Sequence, residues 1–316
     1  MSEIALNPST AQEEEVILKI EHLTKHFGKK KALDDVSIEV KQGQVYGLVG
    51  ENGAGKTTLI QHILGTYVPE TGTVRVFGLD PVLYPQQVLG KVGYLSETRD
   101  LPKWMRVYQL INYTSAFYPD WDMDYAKKLM EEFELPYNLR VRSLSRGELA
   151  KLGLLLAIAH KPDLLLLDEP SSGLDPVARL DILSAVVRGV AEEGRTVLFS
   201  SHLLDEVERI SDYVCMVHKG KVVFSASLEE IRSRFTLVIA RWEKFPDSLP
   251  KEEKVVQVVN LGRESRILLS CPESEAVERV KVQKGSIVKV MAPELQDIFV
   301  GYVKKSKEEG GDNDTA

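Results

Sequence analysis

Short runs of β-branched and leucine residues recur along the chain, and most are followed by stretches whose apolar positions lie three and four apart. EVILKI, QVYGLV, DLLLLDEP and TVLFSSH are such runs, and their alternation with helical patterns indicates a largely parallel sheet. Helices between such strands cover the sheet, so the pattern predicts an α/β architecture. Two helical patterns, near 105–118 and 123–134, have no strand between them, and Ala126, Leu129, Met130 and Phe133 form one stripe of the second. They predict a helical insert over about 98–143, its stripe serving core packing rather than a ligand.

YVCMVHKGKVVFSA then predicts a hairpin turning at Lys219-Gly220, followed by a helix opened by Ser227 and Glu230. The pattern changes near Arg234. Residues 235–303 carry the strand-like runs TLVIAR, KVVQVVN, RILLSC and SIVKVM with two short helices, which predicts a small α+β domain with no recognisable chemistry. Residues 1–14 and 304–316 are polar and are expected to be disordered tails. The expected division is therefore 1–14, 15–234, 235–303 and 304–316.

Composition narrows the function. Among 316 residues the formal net charge is -7 and the pI near 5.6, which argues against a dominant attraction to nucleic acid, and no nucleic-acid partner is expected. Cys215 and Cys271 lie far apart in apolar segments at no metal-ligand spacing; buried free thiols in a reducing compartment fit them. LGLLLAIA, among the longest apolar stretches, falls well short of the roughly 20 residues that span a bilayer, so a membrane role requires a partner.

The chemistry begins at GENGAGKTT, which lies between the strand QVYGLV and the helix TTLIQHIL. It matches the phosphate-binding pattern G-x-x-x-x-G-K-[ST] in the context that pattern needs. Gly50, Gly53 and Gly55 let the backbone bend closely around phosphates, so that the N–H groups of Gly50, Glu51, Asn52, Gly53, Ala54, Gly55 and the helix start point at the anion. Lys56 adds a point charge, Thr57 a hydroxyl for Mg²⁺, and Thr58 continues the first turn. A nucleoside triphosphate is the expected ligand, although this motif alone leaves a kinase, a GTPase and a motor open.

LLLLDEP delivers Asp168 and Glu169 to the carboxyl end of a buried strand, where open α/β sheets bind ligands. Asp168 is suited to Mg²⁺ and Glu169 to polarising an attacking water, a contribution of roughly 10²- to 10⁴-fold in rate. His202 closes the next strand, TVLFSS, within reach of a γ-phosphate oxygen by the same topology. In SLSRGELAK, Ser145 and Glu148 form a capping box, which leaves open whether Ser145 and Gly147 serve only their own helix.

The ordered set of Gly50 to Thr58, LSRGE, LLLLDEP, SSGLDP and His202 resembles the nucleotide-binding subunit of ATP-binding cassette (ABC) transporters over residues 15 to about 233. The resemblance implies a P-loop NTPase of ABC type with an N-terminal antiparallel β subdomain, a helical insert subdomain and, here, the added C-terminal α+β domain. It implies that ATP and Mg²⁺ are held between two subunits arranged head to tail, as a homodimer or with a close paralogue. Catalysis then falls to Lys56, Glu169 and His202, and the metal to Thr57, Asp168 and Glu97. Ser145 and Gly147 reach the γ-phosphate of the facing subunit, Phe27 stacks on adenine, and Asp175 links the two sites.

The chain departs from the family pattern at Arg146 and Glu148 of the signature and at Glu97, where a glutamine is usual. Through the implied permease, an integral membrane protein, the subunit is expected to be cytoplasmic and peripheral on the inner face of the cell membrane. FYPDWD falls in the part of the insert that docks onto that partner. The layout, ending in LQDIFVGYV, is similar to exporter-type (ABC-2-like, multidrug and antibiotic) subunits. A soluble ABC ATPase acting on DNA or the ribosome is the alternative; only residues 59–143 separate phosphate loop and signature, and the chain has one cassette. A small-molecule kinase leaves the signature and His202 unexplained.

Overall fold

The computed structural model describes residues 15–242, 254–283 and 285–310; the expected tail 1–14 and residues 311–316 lie outside the described residues. The chain opens with β1 (Val16–Phe27) and β2 (Lys30–Lys41), joined at Gly28, then passes through β3 (Val45–Val49), α1 (Lys56–Ile63) and β4 (Thr71–Val76). Strands β2, β1 and β4 form an antiparallel sheet in that order, with Ile20 opposite both Ile38 and Val74. Bulges interrupt β1 around His22, which has a φ of 53°.

After α2 (Pro85–Leu89) and β5 (Val92–Leu95) come the two insert helices, α3 (Val107–Ser115) and α4 (Met123–Glu132), then α5 (Arg146–Ile158) and β6 (Leu164–Asp168). Ala126, Leu129 and Phe133 are buried and Met130 packs against the same core, as the stripe predicts. The cassette continues with α6 (Pro176–Glu193), β7 (Thr196–Ser201), α7 (Leu204–Ile210), β8 (Tyr213–His218), β9 (Lys221–Ser227) and α8 (Leu228–Arg234). Lys219 and Gly220, both at positive φ, turn the β8–β9 hairpin.

Six strands form the central sheet in the order β5-β6-β7-β3-β8-β9, parallel except for β9. Every position of β3, β6 and β7 is buried, which explains why their sequences do not alternate. Because β3, β7 and β6 are neighbours in register, with Val49 opposite Ser201 and Asp168 opposite Ser200, the segments leaving their carboxyl ends emerge side by side.

The remainder comprises β10 (Thr236–Arg241), β11 (Val255–Leu261), β12 (Glu264–Leu269), α9 (Glu273–Val282), β13 (Ser286–Met291) and α10 (Leu295–Gly310). Its strands make a second antiparallel sheet, β11-β12-β10-β13, over a core that includes Val238, Ile267 and Val280. The last helix is not short, and it runs past residue 304, where the sequence suggests a tail. Lys and Glu are good helix formers, and turns already fixed by the burial of Leu295, Ile298 and Val303 extend at little cost. Those three side chains share one buried cluster with Val207 and Ile231 of the cassette, and the Leu295 N–H donates to Glu208 Oε2 at 3.3 Å.

Candidate phosphate-binding and hydrolytic site

The loop between β3 and α1 is shaped by what surrounds it. Gly55 sits at φ 114°, a conformation glycine favours, and a Cβ there would lie 2.6 Å from Ala32 O. A Cβ on Gly50 would lie 2.4 Å from Val217 O. Gly55 caps α1 without a side chain, and no acidic residue occupies the first turn, so the first N–H groups of α1 have no side-chain partner there. That arrangement suits an anion. Glu51, Asn52, Gly53 and Thr57 are exposed along the loop and first turn, Ala54 is buried and Thr58 half-buried.

Lys56 is 6% exposed, and its Nζ donates to Gly50 O at 2.7 Å and lies 3.0 Å from Glu169 Oε1. The other carboxylate oxygen of Glu169, Oε2, is 2.7 Å from His202 Nδ1 and accepts from the His202 backbone N–H at 3.3 Å. Three segments far apart in sequence thus converge on one buried carboxylate. Glu169 adopts φ 48°, a strained conformation for a residue with a Cβ, directly after β6. Ser200 helps fix it: its hydroxyl accepts from the Glu169 N–H at 2.9 Å and donates to Asp168 Oδ1 at 2.6 Å.

Asp168 is buried at the strand end beside Tyr94, whose phenol burial pushes up to about 12, with the charge of Asp168 acting in the same direction. Glu97 is exposed just beyond β5. Two residues on, Arg99 is buried, and its guanidinium donates to the carbonyls of Pro170 at 2.9 Å and Ser172 at 3.1 Å. Burial lowers the Arg99 pKa, and the charge of Glu97 opposes that shift. Phe27, 45% exposed at the end of β1, makes an edge contact with Tyr67 at 5.5 Å between ring centroids.

The signature opens α5. Ser145 Oγ accepts from the Glu148 N–H at 3.2 Å, and Glu148 Oε2 accepts from the Ser145 N–H at 2.7 Å, completing the capping box. A Cβ on Gly147 would lie 3.1 Å from Ala178 Cβ and 4.0 Å from Asp175 Oδ2. Asp175 caps α6 in its own chain, accepting from the N–H groups of Val177 and Ala178 at 3.0 Å each. The Ala178 N–H holds its carboxyl below the usual range, with desolvation opposing. Among the hydrogen bonds and ion pairs of the described residues, none joins Ser145 or Gly147 to the phosphate loop.

Sequence reasoning missed Ser200, Arg99 and the carboxylate of Glu206. The first of these stands in the quoted run SSH, and only its pairing with Asp168 across the sheet reveals its use. Arg99 and Glu206 act through contacts 71 and 35 residues distant, for which the local sequence carries no signal.

A family model described as ABC transporter matches residues 33–172. The chain is 38% identical over 224 residues to the uncharacterized ABC transporter ATP-binding protein YhaQ of Bacillus subtilis (strain 168), covering 69% of this chain and 74% of that one. It is 33% identical over 222 residues to the bacitracin transport ATP-binding protein BcrA of Enterococcus faecalis, covering 70% and 72%. Among solved structures, the ATP binding subunit of an ABC transporter superposes with a TM-score of 0.64 at 28% identity, over 68% of this chain and 92% of that one. The fold, the phosphate loop and these similarities agree: the chain belongs to the family of ABC transporter ATP-binding subunits, ATPases that hydrolyse ATP to power transport.

Proposed function

We propose that this chain pairs head to tail with a second copy or a close paralogue around ATP, and that hydrolysis drives export through a membrane permease. The observation that carries this reading is the meeting of Lys56, Glu169 and His202, at 3.0 Å and 2.7 Å, next to a helix start whose N–H groups have no side-chain cap. When a γ-phosphate arrives it competes for Lys56, and the carboxylate of Glu169 loses its cation and becomes a stronger base towards a water. Its Nδ1 side held by Glu169, His202 keeps a ring 39% exposed with Nε2 for a phosphate oxygen. Phe27 offers its exposed ring to the adenine.

The oxygen donors of Asp168 and Thr57, with Glu97 nearby, fit the hard cation that accompanies ATP. Among the described residues no group of three or more His, Cys, Asp and Glu gathers into a cage, so Asp168 and Thr57 are the protein groups that would hold the ion. Bound there, Mg²⁺ supplies neutralisation of charge on the β- and γ-phosphate oxygens. Asp168 would ligate through an orientation already set by Ser200.

The rest of the reaction needs the second subunit. Ser145 and Gly147, at the exposed start of α5, would complete the anion site of the facing copy, so that ATP favours the closed pair and hydrolysis reopens it. Asp175 would transmit closure between the two sites. Among the described residues no helix is long and apolar enough to cross a membrane, so the substrate path belongs to the permease, on whose inner face we place this subunit. Similarity to the bacitracin transport subunit supports export of an antibiotic-like compound.

The test is Glu169→Gln in the purified chain. It should bind ATP with unchanged affinity, accumulate as an ATP-loaded dimer and lose turnover by about 10²- to 10⁴-fold. A variant that hydrolyses ATP at the wild-type rate would overturn the assignment.

A further inference from the structure

We infer that Glu206 is a positioning residue that sets Glu169 and His202 relative to each other; the inference rests on the roles proposed above for those two. Glu206 lies in the first turn of α7 and is 3% exposed. Its Oε2 accepts from Ser171 Oγ at 2.6 Å and from Ser201 Oγ at 3.3 Å, while Oε1 lies 3.2 Å from Arg179 Nε. Ser171 stands two residues after Glu169, and Ser201 immediately precedes His202. The backbone N–H of Arg179 donates to Asp175 O at 3.0 Å. One carboxylate therefore ties together the three segments that carry Glu169, His202 and Asp175.

Packing alone does not call for an acid at this position. A buried carboxylate is costly unless paired and hydrogen-bonded, and Val207, next in the same helix, is buried as an ordinary apolar residue. Nothing in the proposed reaction consumes Glu206. What its contacts do is constrain the strained turn at Glu169 through Ser171, alongside Arg99, which donates to the carbonyls of Pro170 and Ser172. The constraint matters most when ATP is bound. Lys56 then turns to phosphate, and the carboxylate of Glu169 loses its lysine tether. Ser200 still holds the Glu169 backbone, and Glu206 holds the residues on either side of the Glu169–His202 contact.

The experiment measures ATP affinity, kcat, thermal midpoint and ATP-dependent dimerisation in the full chain. Glu206→Ala should lower kcat about a hundredfold, the cost of misplacing a reacting group by an ångström, with ATP affinity kept. It should also accumulate as the ATP-loaded dimer. Glu206→Gln, which retains an oxygen for the two serine hydroxyls, should recover kcat to within about tenfold of wild type. Ser171→Ala, which keeps the charge pair and removes one tether, serves if Glu206→Ala does not fold, and should cost about tenfold in kcat at unchanged affinity. Unchanged kcat in Ser171→Ala, and in Glu206→Ala where it folds, overturns the inference. So does a loss of kcat that tracks falling ATP affinity and thermal midpoint in each variant, which marks a merely structural acid. The Glu169→Gln control separates the two levels: wild-type turnover there removes the proposed function and this inference with it, whereas an inactive Glu169→Gln beside a fully active Ser171→Ala, and a fully active Glu206→Ala where it folds, removes this inference alone.

Discussion

The two surfaces to which the proposed mechanism assigns ATP are built in opposite ways. At the phosphate loop, Lys56 and Glu169 are both almost wholly buried and satisfy each other's charge. At the signature, Ser145 and Arg146 are exposed, and the bonds made by Ser145 serve only the start of its own helix. One surface carries its counter-charge before any ligand arrives, and the other is an exposed helix end held by its own capping box. The first is a switch set by exchange of partners; the second needs only to be rigid and available. A capped helix end meets that need, since the capping box consumes the N–H groups of Ser145 and Glu148 and fixes the turn between them.

That contrast is open to attack at both ends. Lys56→Ala should have the largest effect: it removes the phosphate contact and leaves the Glu169 carboxylate buried without its cation, at a cost of about 3–5 kcal/mol in stability. Denaturant unfolding should show that loss, calorimetry should show ATP binding abolished, and adding Glu169→Gln should restore part of the stability. Gly147→Ala should behave differently, because its Cβ meets only the Ala178 methyl closely, at 3.1 Å. The monomer should keep its stability and its ATP affinity while dimerisation and turnover fall about a hundredfold, about 2.7 kcal/mol; loss of ATP binding by the monomer would erase the distinction drawn here.

A third prediction concerns the far end of α5, where His160 stacks on Tyr118 of the insert at 3.9 Å between ring centroids. Burial lowers the His160 pKa to about 4 from an ordinary 6.5. The unfolded chain therefore binds the extra proton first, and stability present above about pH 6.5 is lost as the pH falls towards about 4. Allowing for partial solvation, the loss is about 2 kcal/mol, and His160→Gln should flatten that part of the stability profile in unfolding measured against pH. The smallest effect is that of Phe27→Ala, about 1 kcal/mol in ATP affinity with kcat unchanged, since the ring is half exposed and is steadied by an edge contact to Tyr67 and by Lys25 Nζ 5.8 Å from its centroid.

The parts legible in the sequence are those whose causes are local. Continuous apolar runs mark β3, β6 and β7 because both faces of those strands are covered, and the Ser145 and Ser227 capping boxes form as their three-residue spacing dictates. The hairpin turn at Lys219-Gly220 follows for the same reason. What escaped is held by distant partners. The hydroxyl of Ser200 matters only because its strand lies beside Asp168, and Arg99 only because its loop folds under Pro170. Polarity misplaced the end of α10, since the charged residues after Val303 continue a helix already anchored by apolar ones. Asp175 shows the converse: a motif position with an assigned distant role also has a local one, capping α6.

The burial of Leu295, Ile298 and Val303 in one cluster with Val207 and Ile231, with α10 lying on α7, bears on how the C-terminal segment can be handled. A chain cut after Arg234 would bare an oily seam on α7, the helix that directly follows His202. A shortened protein made to isolate the ATPase would then be prone to aggregate, and altered turnover in it would reflect an undressed helix instead of a missing regulator. Keeping α10, or replacing its partners on α7 with polar residues, is the condition for learning what residues 235–316 contribute.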